Sequence, residues 1–262
     1  MSWKSIAAEI ERTATARGRA ASGRFSIEGF RLLERAVATG VTIDAVLVGE
    51  SSLRKADRRA EILIDKLEQL GVEIATAPDL GLSQLIEGRE TGAVTALLPI
   101  PEPVTLDSIA DAEGSKRLLV AVQVDDPGNV GALTRTALAG GAEALVLIGP
   151  GDPYHPRAVR ISRGSLFRLP VVRLDSTEAL LDAAQRWKLR TVAAITHGGE
   201  PLDQFQPEGD DRVAICVGSE AFGLSEEFVE QLDWSTTIPM TAGVDSYSVH
   251  AAAAILLYAL RR

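Results

Sequence analysis

An apolar run at residues 118–124 has the length and β-branching of a buried strand, and Asp126-Pro127-Gly128 then breaks it sharply. Asn129 suits a helix N-cap, and the residues after it are rich in helix formers until Gly140-Gly141. A strand, a break and a helix in that order predict a β–α unit of a parallel sheet. Asn129 and Arg135 then stand at the carboxyl end of the strand and in the first turns of the helix, where α/β proteins place their chemistry. Taken alone, the stretch fits an ordinary connection with a solvated arginine equally well.

The rest of the chain repeats the alternation. Strands are expected at 118–124, 144–148, 169–172, 191–195, 213–217 and near 237–238, and helices at 178–187 and 251–260. The fold class is α/β, with a mostly parallel sheet and covering helices. The first hundred residues alternate too. An amphipathic run follows Arg24-Phe25-Ser26-Ile27-Glu28-Gly29-Phe30 and ends at Gly40. Strands are expected at 43–48, 72–75 and 93–98, and a helix at 56–70. Pro99, Pro101 and Pro103 make a stiff connector. The expected division is a smaller domain at 1–98, a linker at 99–116 and a larger domain at 117–262.

Composition narrows the function classes. A chain of 262 residues with 46% apolar and 24% charged residues is globular. No apolar run approaches the roughly 18–20 residues of a membrane span. The start Met1-Ser2-Trp3-Lys4 lacks a signal-peptide core, so a cytoplasmic protein is expected. Cys216 has no partner for an internal disulfide and reads as a small buried hydrophobe. His155, His197 and His250 lack ligand spacing, so no metal is expected. The net charge of −9 means that any nucleic-acid face must be local. Two local candidates exist: Lys4, Arg12, Arg17, Arg19 and Arg24, and the acid-free stretch of Arg157, Arg160, Arg163 and Arg168. Arg157, Arg160 and Arg163 recur every three residues, so on a helix they line one face. A solvated basic face is the plain alternative.

Two further strand ends carry unusual residues. Gly218-Ser219-Glu220-Ala221-Phe222-Gly223-Leu224-Ser225 follows the strand at 213–217, and Gly218 and Gly223 let backbone approach a ligand. Ile238-Pro239-Met240 is followed by Asp245-Ser246-Tyr247-Ser248-Val249-His250, in which Ser246 suits an N-cap and Ser248 the first helical turn. Gly149-Pro150-Gly151-Asp152-Pro153 lacks the third glycine of a dinucleotide fingerprint, and no P-loop occurs. A nicotinamide dehydrogenase is therefore a distant alternative.

In order and spacing, Asn129…Arg135, Gly218-Ser219-Glu220 with Gly223-Leu224, and Ile238-Pro239-Met240 with Ser246…Val249 resemble the three motifs of the SpoU/TrmH-type RNA 2′-O-ribose methyltransferases of the SPOUT superfamily. Arg160-Ile161-Ser162-Arg163-Gly164 resembles a further family signature. The segment from Phe25 to Gly29 resembles the start of the family's amino-terminal substrate-binding domain, itself similar to a ribosomal RNA-binding protein. The resemblance implies a carboxyl-terminal SPOUT domain with a deep trefoil knot, which sequence physics would not propose because knots are nearly absent from proteins. It implies S-adenosylmethionine as cofactor, held by backbone at Gly218, Ile238 and Tyr247 with Met240 beside them. It implies a structured rRNA or tRNA as substrate and a homodimer formed through the terminal helix; from local charge and spacing, RNA contacts are expected from Arg157, Arg160, Arg163 and Arg24.

The same resemblance places Arg135, Asn129, Glu220, Ser246 and Ser248 at the catalytic site. The family assigns proton removal to the arginine matching Arg135. Arginine holds its proton above about pH 12, so stabilising the developing alkoxide and pinning a phosphate suit it better. The chain departs from the family pattern at Ser248, where asparagine is usual, and at Ser219, Tyr247 and His250. A serine in place of the asparagine has shorter reach and one fewer donor. The second expectation is therefore a catalytically weak or inactive RNA-binding protein of the same ancestry, such as a ribosome-assembly factor.

Overall fold

Side-chain alternation along four short strands shapes the amino-terminal part of the chain. The computed structural model describes residues 2–54, 58–85, 94–110, 116–205 and 212–260. Ala56 and Ala93, which open a helix and a strand in the sequence reading, lie outside them. The elements run α1 (Trp3–Thr13), α2 (Ala16–Ser22), β1 (Arg24–Glu28), α3 (Phe30–Thr39), β2 (Ala45–Gly49), α4 (Glu50–Arg54), α5 (Arg58–Gln69), β3 (Glu73–Ala77), α6 (Asp79–Ser83) and β4 (Val94–Pro99). The sheet order is β1-β4-β2-β3, antiparallel except for β2 with β3. Phe25, Ile27, Val46, Val48, Ala96 and Leu98 face Leu32, Leu33, Ala36 and Leu67 of α3 and α5. Ala45, Leu47 and Leu97 point the other way and bury Ile6, Ala7 and Ile10 of α1. Both faces are thus covered.

The chain continues through α7 (Leu106–Ala110), β5 (Lys116–Val122), α8 (Pro127–Ala139), β6 (Ala144–Ile148), α9 (Pro156–Ser162), a 3₁₀ turn at Ser165–Phe167, β7 (Val171–Leu174), α10 (Thr177–Trp187), β8 (Arg190–Ala194), β9 (Glu200–Pro201), β10 (Arg212–Val217), α11 (Glu226–Glu230), β11 (Trp234–Thr237) and α12 (Val249–Ala259). Contacts divide it into two units, Met1–Pro101 with Tyr154–Phe167, and Glu102–Pro153 with Arg168–Arg262. Helix α9 therefore belongs to the first unit, where Val159 enters the core beside Phe25 and Ile27 and Tyr154 packs its ring on Phe25 at 5.1 Å. The sequence places a linker at 99–116. The structure folds part of that stretch into the second unit, because Leu106 is buried in its core and Val104 bridges to Val172.

In the second unit every strand pairing is parallel, in the order β7-β6-β5-β10-β8-β11-β9. Leu118, Val120, Val122, Ala144, Val146, Ala214 and Cys216 bury α10 and α11 on one face. Burial pushes the Cys216 thiol up to about 12, so it is a packing residue. Leu119, Leu145, Leu147 and Ile215 alternate to the opposite face, also buried, on which α8 and α12 lie side by side. Among the described residues no helix is long and apolar enough to cross a membrane, and no His, Cys, Asp or Glu group could hold a metal.

The α8–α12 seam is tight at its lower end. A Cβ on Gly140 would lie 2.7 Å from Leu257 Cδ1 and 2.8 Å from its Cβ, although the Gly140 backbone suits any residue at φ −81°. Gly140→Ala is expected to cost about 1–3 kcal/mol through overpacking. Calorimetric melting checks this, with Leu257→Ala relieving the loss in the double variant; an unchanged melting temperature would contradict the packing.

Candidate functional site

Parallel pairing aligns the carboxyl ends of the second unit's strands along one rim. β5 lies between β6 and β10, with Ala121 opposite Leu147 and Val217. Their carboxyl ends open where the strand order reverses, the crevice in which open α/β sheets bind ligands. β11 lies two strands from β10, roughly 10 Å away.

The break after β5 folds differently from the sequence reading. Asp126, not Asn129, is the N-cap of α8, and its carboxylate accepts the Asn129 N–H at 2.9 Å. Pro127 takes the first helical position, where a missing N–H costs nothing, which moves the cap three residues back. Asn129 is half-buried in the first turn. Arg135 is exposed in the third turn, about 12 Å along the axis from Pro127, and about 120° around the helix from Asn129. Its backbone therefore stands back from the rim, with the side chain exposed.

After β10, Gly218 is packed so closely that a Cβ would overlap the Gly223 carbonyl and the Leu224 nitrogen. A small hairpin follows. The Gly223 N–H donates to the Ser219 carbonyl at 2.9 Å, and the Phe222 N–H donates to Ser219 Oγ at 3.3 Å. Gly223 takes φ 65°, a value that glycine adopts without strain. Glu220 is exposed on this hairpin. After β11, Ile238 and Met240 are half-buried, and residues 241–248 are exposed, including Ser246 and Tyr247. Ser248, not Ser246, is the N-cap of α12, yet its side chain makes no capping hydrogen bond. Its hydroxyl is not spent on the helix.

The Gly149–Gly151 loop after β6 is held by its own chain. Arg173 donates to the Gly151 carbonyl at 2.5 Å and to the Gly149 carbonyl at 3.2 Å. A Cβ on Gly149 would meet Gln123 Oε1 at 2.8 Å, and one on Gly151 the Val124 carbonyl at 2.7 Å. These glycines serve close packing, which removes the motivation for a dinucleotide reading. Gln123 at φ 55° and Arg173 are structural residues that the sequence did not single out.

Of the candidate RNA-binding arginines, Arg24, Arg157, Arg160 and Arg163 lie in the first unit, whereas Arg168 falls in the second. Helix α9 carries Arg157, exposed, and Arg160, whose guanidinium reaches Glu28 of β1 at 3.8 Å. Arg163 does not extend their row. It is the left-handed cap of α9 at φ 53°, and its carbonyl accepts from Arg35 Nη1. Arg24 Nε donates to Asp44 Oδ2 at 2.6 Å, and this hydrogen bond holds the guanidinium pKa above its ordinary value. Both lie on a cleft of about 660 Å³ lined also by Glu9 and Arg12.

A model of the SpoU rRNA Methylase family matches residues 116–258, and one of the MRM3-like substrate binding domain matches residues 8–78. A 23S rRNA (uridine(2479)-2′-O)-methyltransferase of Streptomyces viridochromogenes is 32% identical over 92% of this chain and 83% of its own. The 23S rRNA (guanosine(2553)-2′-O)-methyltransferase RlmP of Bacillus subtilis is 27% identical over 99% and 94%. The crystal structure of the SpoU methyltransferase AviRb from Streptomyces viridochromogenes, in complex with AdoMet, superposes with a TM-score of 0.83 at 26% identity, over 96% of this chain and 94% of that one.

The Gly218 packing generates a direct structural test. Gly218→Ala is expected to displace the 219–223 hairpin, because only backbone atoms stand in the way. Amide hydrogen exchange at Gly223 should then accelerate at least about tenfold while β10 stays protected. Unchanged exchange at Gly223 would show that the hairpin does not depend on the missing side chain.

Proposed function

The chain belongs to the SpoU rRNA methylase family, and on that premise we propose that it transfers a methyl group from S-adenosylmethionine to a ribose 2′-hydroxyl of ribosomal RNA. The observation that carries this reading is the rim itself. The helix bearing Asn129 and Arg135 leaves β5, the Gly218 hairpin leaves β10, and β5 and β10 are paired neighbours. Relatives named as 23S rRNA 2′-O-methyltransferases favour rRNA over tRNA.

The residues present fit the cofactor. Gly218 bares backbone at the rim, and Ile238 and Met240 offer half-buried apolar surface. Residues 218–225 and 238–248 contain carboxylates and hydroxyls but no lysine or arginine, so nothing there repels a sulfonium. Gly218, Ile238, Met240 and Tyr247 would hold it. Bound S-adenosylmethionine supplies an activated methyl group on its sulfonium.

The chain's own residues orient the acceptor. Arg135 offers a fixed cation and a planar fork of N–H donors, suited to pin a phosphate and stabilise negative charge developing on O2′. Asn129, fixed by the Asp126 cap, and Glu220, fixed by the hairpin, orient the groups around the ribose. Ser246 and Ser248 shape the facing loop. The trefoil knot implied by the family resemblance, and a cytoplasmic location with the RNA, belong to the same proposal.

The first unit supplies RNA affinity in this reading. It contains the segment that matches a substrate-binding domain, and α9 adds Arg157 and Arg160 to it, with Arg163 at the helix cap. Arg24 on β1 joins them. A homodimer through α12 completes the assembly. Val249, Ala253, Leu256 and Leu257 are buried in its own unit, whereas Ala254 and Tyr258 stay exposed, Tyr258 by 67%. A helix this apolar calls for burial on a second side. Sedimentation should give twice the 27.8 kDa chain mass, reverting to one mass in Tyr258→Glu; a wild-type monomer at micromolar concentration would contradict the dimer.

A second reading, an inactive RNA-binding relative, draws on Ser248, whose hydroxyl replaces the family's usual asparagine. Kinetics separate the two. Arg135→Ala should cut turnover by ~100-fold or more with cofactor affinity nearly intact, and Arg135→Lys should rescue little. Ser248→Asn should stay within a few fold of an active wild type. Wild-type silence with cofactor bound, and restored transfer in Ser248→Asn, would identify Ser248 as the lesion; silence in both favours the inactive reading.

A further inference from the structure

Phe222 stands at the tip of the hairpin after β10 and is 91% exposed, the highest value among the exposed large apolar residues described. A single exposed apolar side chain is ordinary on a protein surface. This one stands on a hairpin closed by hydrogen bonds. The Ser219–Gly223 bridge closes the hairpin, Ser219 Oγ receives the Phe222 N–H, and the packing of Gly218 on Gly223 leaves the loop no room to collapse. The hairpin thus presents the phenyl ring to solvent, with two side-chain torsions to settle on binding.

The surroundings narrow what could cover it. Glu220, Ala221, Gly223, Ser225, Glu226 and Glu227 are all exposed, so the ring's neighbours along the chain are carboxylates and small residues. Protein interface cores are contiguous, apolar and depleted in Glu, which this hairpin is not. The carboxylates also disfavour a phosphate at the tip. A flat, uncharged, polarisable face remains as the complementary surface. Nucleobases present such a face, and aromatic side chains stack on it with little regard to base identity. The location agrees, since the hairpin leaves the carboxyl end of β10, next to the strand that leads to Asn129 and Arg135.

We propose that Phe222 is the platform on which a nucleobase of the RNA substrate stacks, fixing the ribose that receives the methyl group. The inference rests on the reading of the second unit as an RNA methyltransferase. It adds a positioning residue to that reaction, and it gives an acidic protein a way to hold RNA at the rim without neutralising phosphate. Holding the base restricts rotation of the attached ribose, so the benefit falls on kcat/KM for RNA and leaves the cofactor untouched.

The test compares wild type with Phe222→Ala, Phe222→Leu and Phe222→Trp, using an unmodified 23S rRNA transcript. Fluorescence anisotropy reads RNA binding, and methyl incorporation from labelled S-adenosylmethionine reads transfer. Phe222→Ala and Phe222→Leu should each lose about five- to hundredfold in RNA affinity and in kcat/KM for RNA, while Phe222→Trp stays within a few fold of wild type. Cofactor affinity, melting temperature and sedimentation mass should not change. Wild-type behaviour in Phe222→Ala, or equal rescue by leucine and tryptophan, overturns the stacking platform. Dissociation of a dimer in Phe222→Ala overturns it too, by assigning the ring to a second copy of the chain. If the wild type transfers no methyl group, the methyltransferase reading fails separately, and anisotropy with the same variants still decides whether Phe222 stacks on RNA.

Discussion

β10 pairs with β5 residue for residue, from Arg212 opposite Lys116 to Val217 opposite Ala121, although β6 to β9 lie between them in the chain. The geometry of the rim depends on that pairing. It brings the Gly218 hairpin beside the turn into α8, and it places β8 so that β11 and its following loop end at the same rim. The pairing is held by burial on both faces, with Val120 and Cys216 directed to one side and Leu119 and Ile215 to the other. Parallel strands read as continuous apolar runs for this reason.

Much of this was legible in the sequence because strand length and branching are local signals. The runs at 118–124, 144–148 and 213–217 each became strands within a residue or two. Caps were less legible. Asn129 and Asp126 are both good cap residues, and the choice fell to Pro127, which prefers the first helical position. Ser248 took the cap expected of Ser246 because α12 begins only at Val249. Neither shift moves a residue off the rim, but each changes which hydroxyl or amide is free to meet a ligand.

The arginine run illustrates what local spacing cannot show. Residues 157, 160 and 163 look like one helical face, yet the helix stops at Ser162 and Arg163 turns left-handed to cap it. No acid occurs between them in sequence, yet Glu28 arrives from β1 at 3.8 Å from Arg160. Their membership in the first unit is likewise a tertiary fact, visible only once Val159 is seen packed beside Phe25 and Ile27. Charge is similarly local. A net charge of −9 argues against RNA binding for the chain as a whole, while an unusually placed aromatic and a few arginines can serve where they stand.

In this reading the rim of the second unit directs a methyl group to a ribose oxygen of RNA. The most direct measurement uses the chemistry of that oxygen. A free 2′-hydroxyl lets alkali cleave the neighbouring phosphodiester, whereas a methylated one does not. An unmodified 23S rRNA transcript treated with the protein and labelled S-adenosylmethionine is hydrolysed in alkali, and the products are separated by mass. The label is expected in an alkali-resistant dinucleotide bearing a 2′-O-methyl ribose. Label confined to mononucleotides methylated on the base would contradict it.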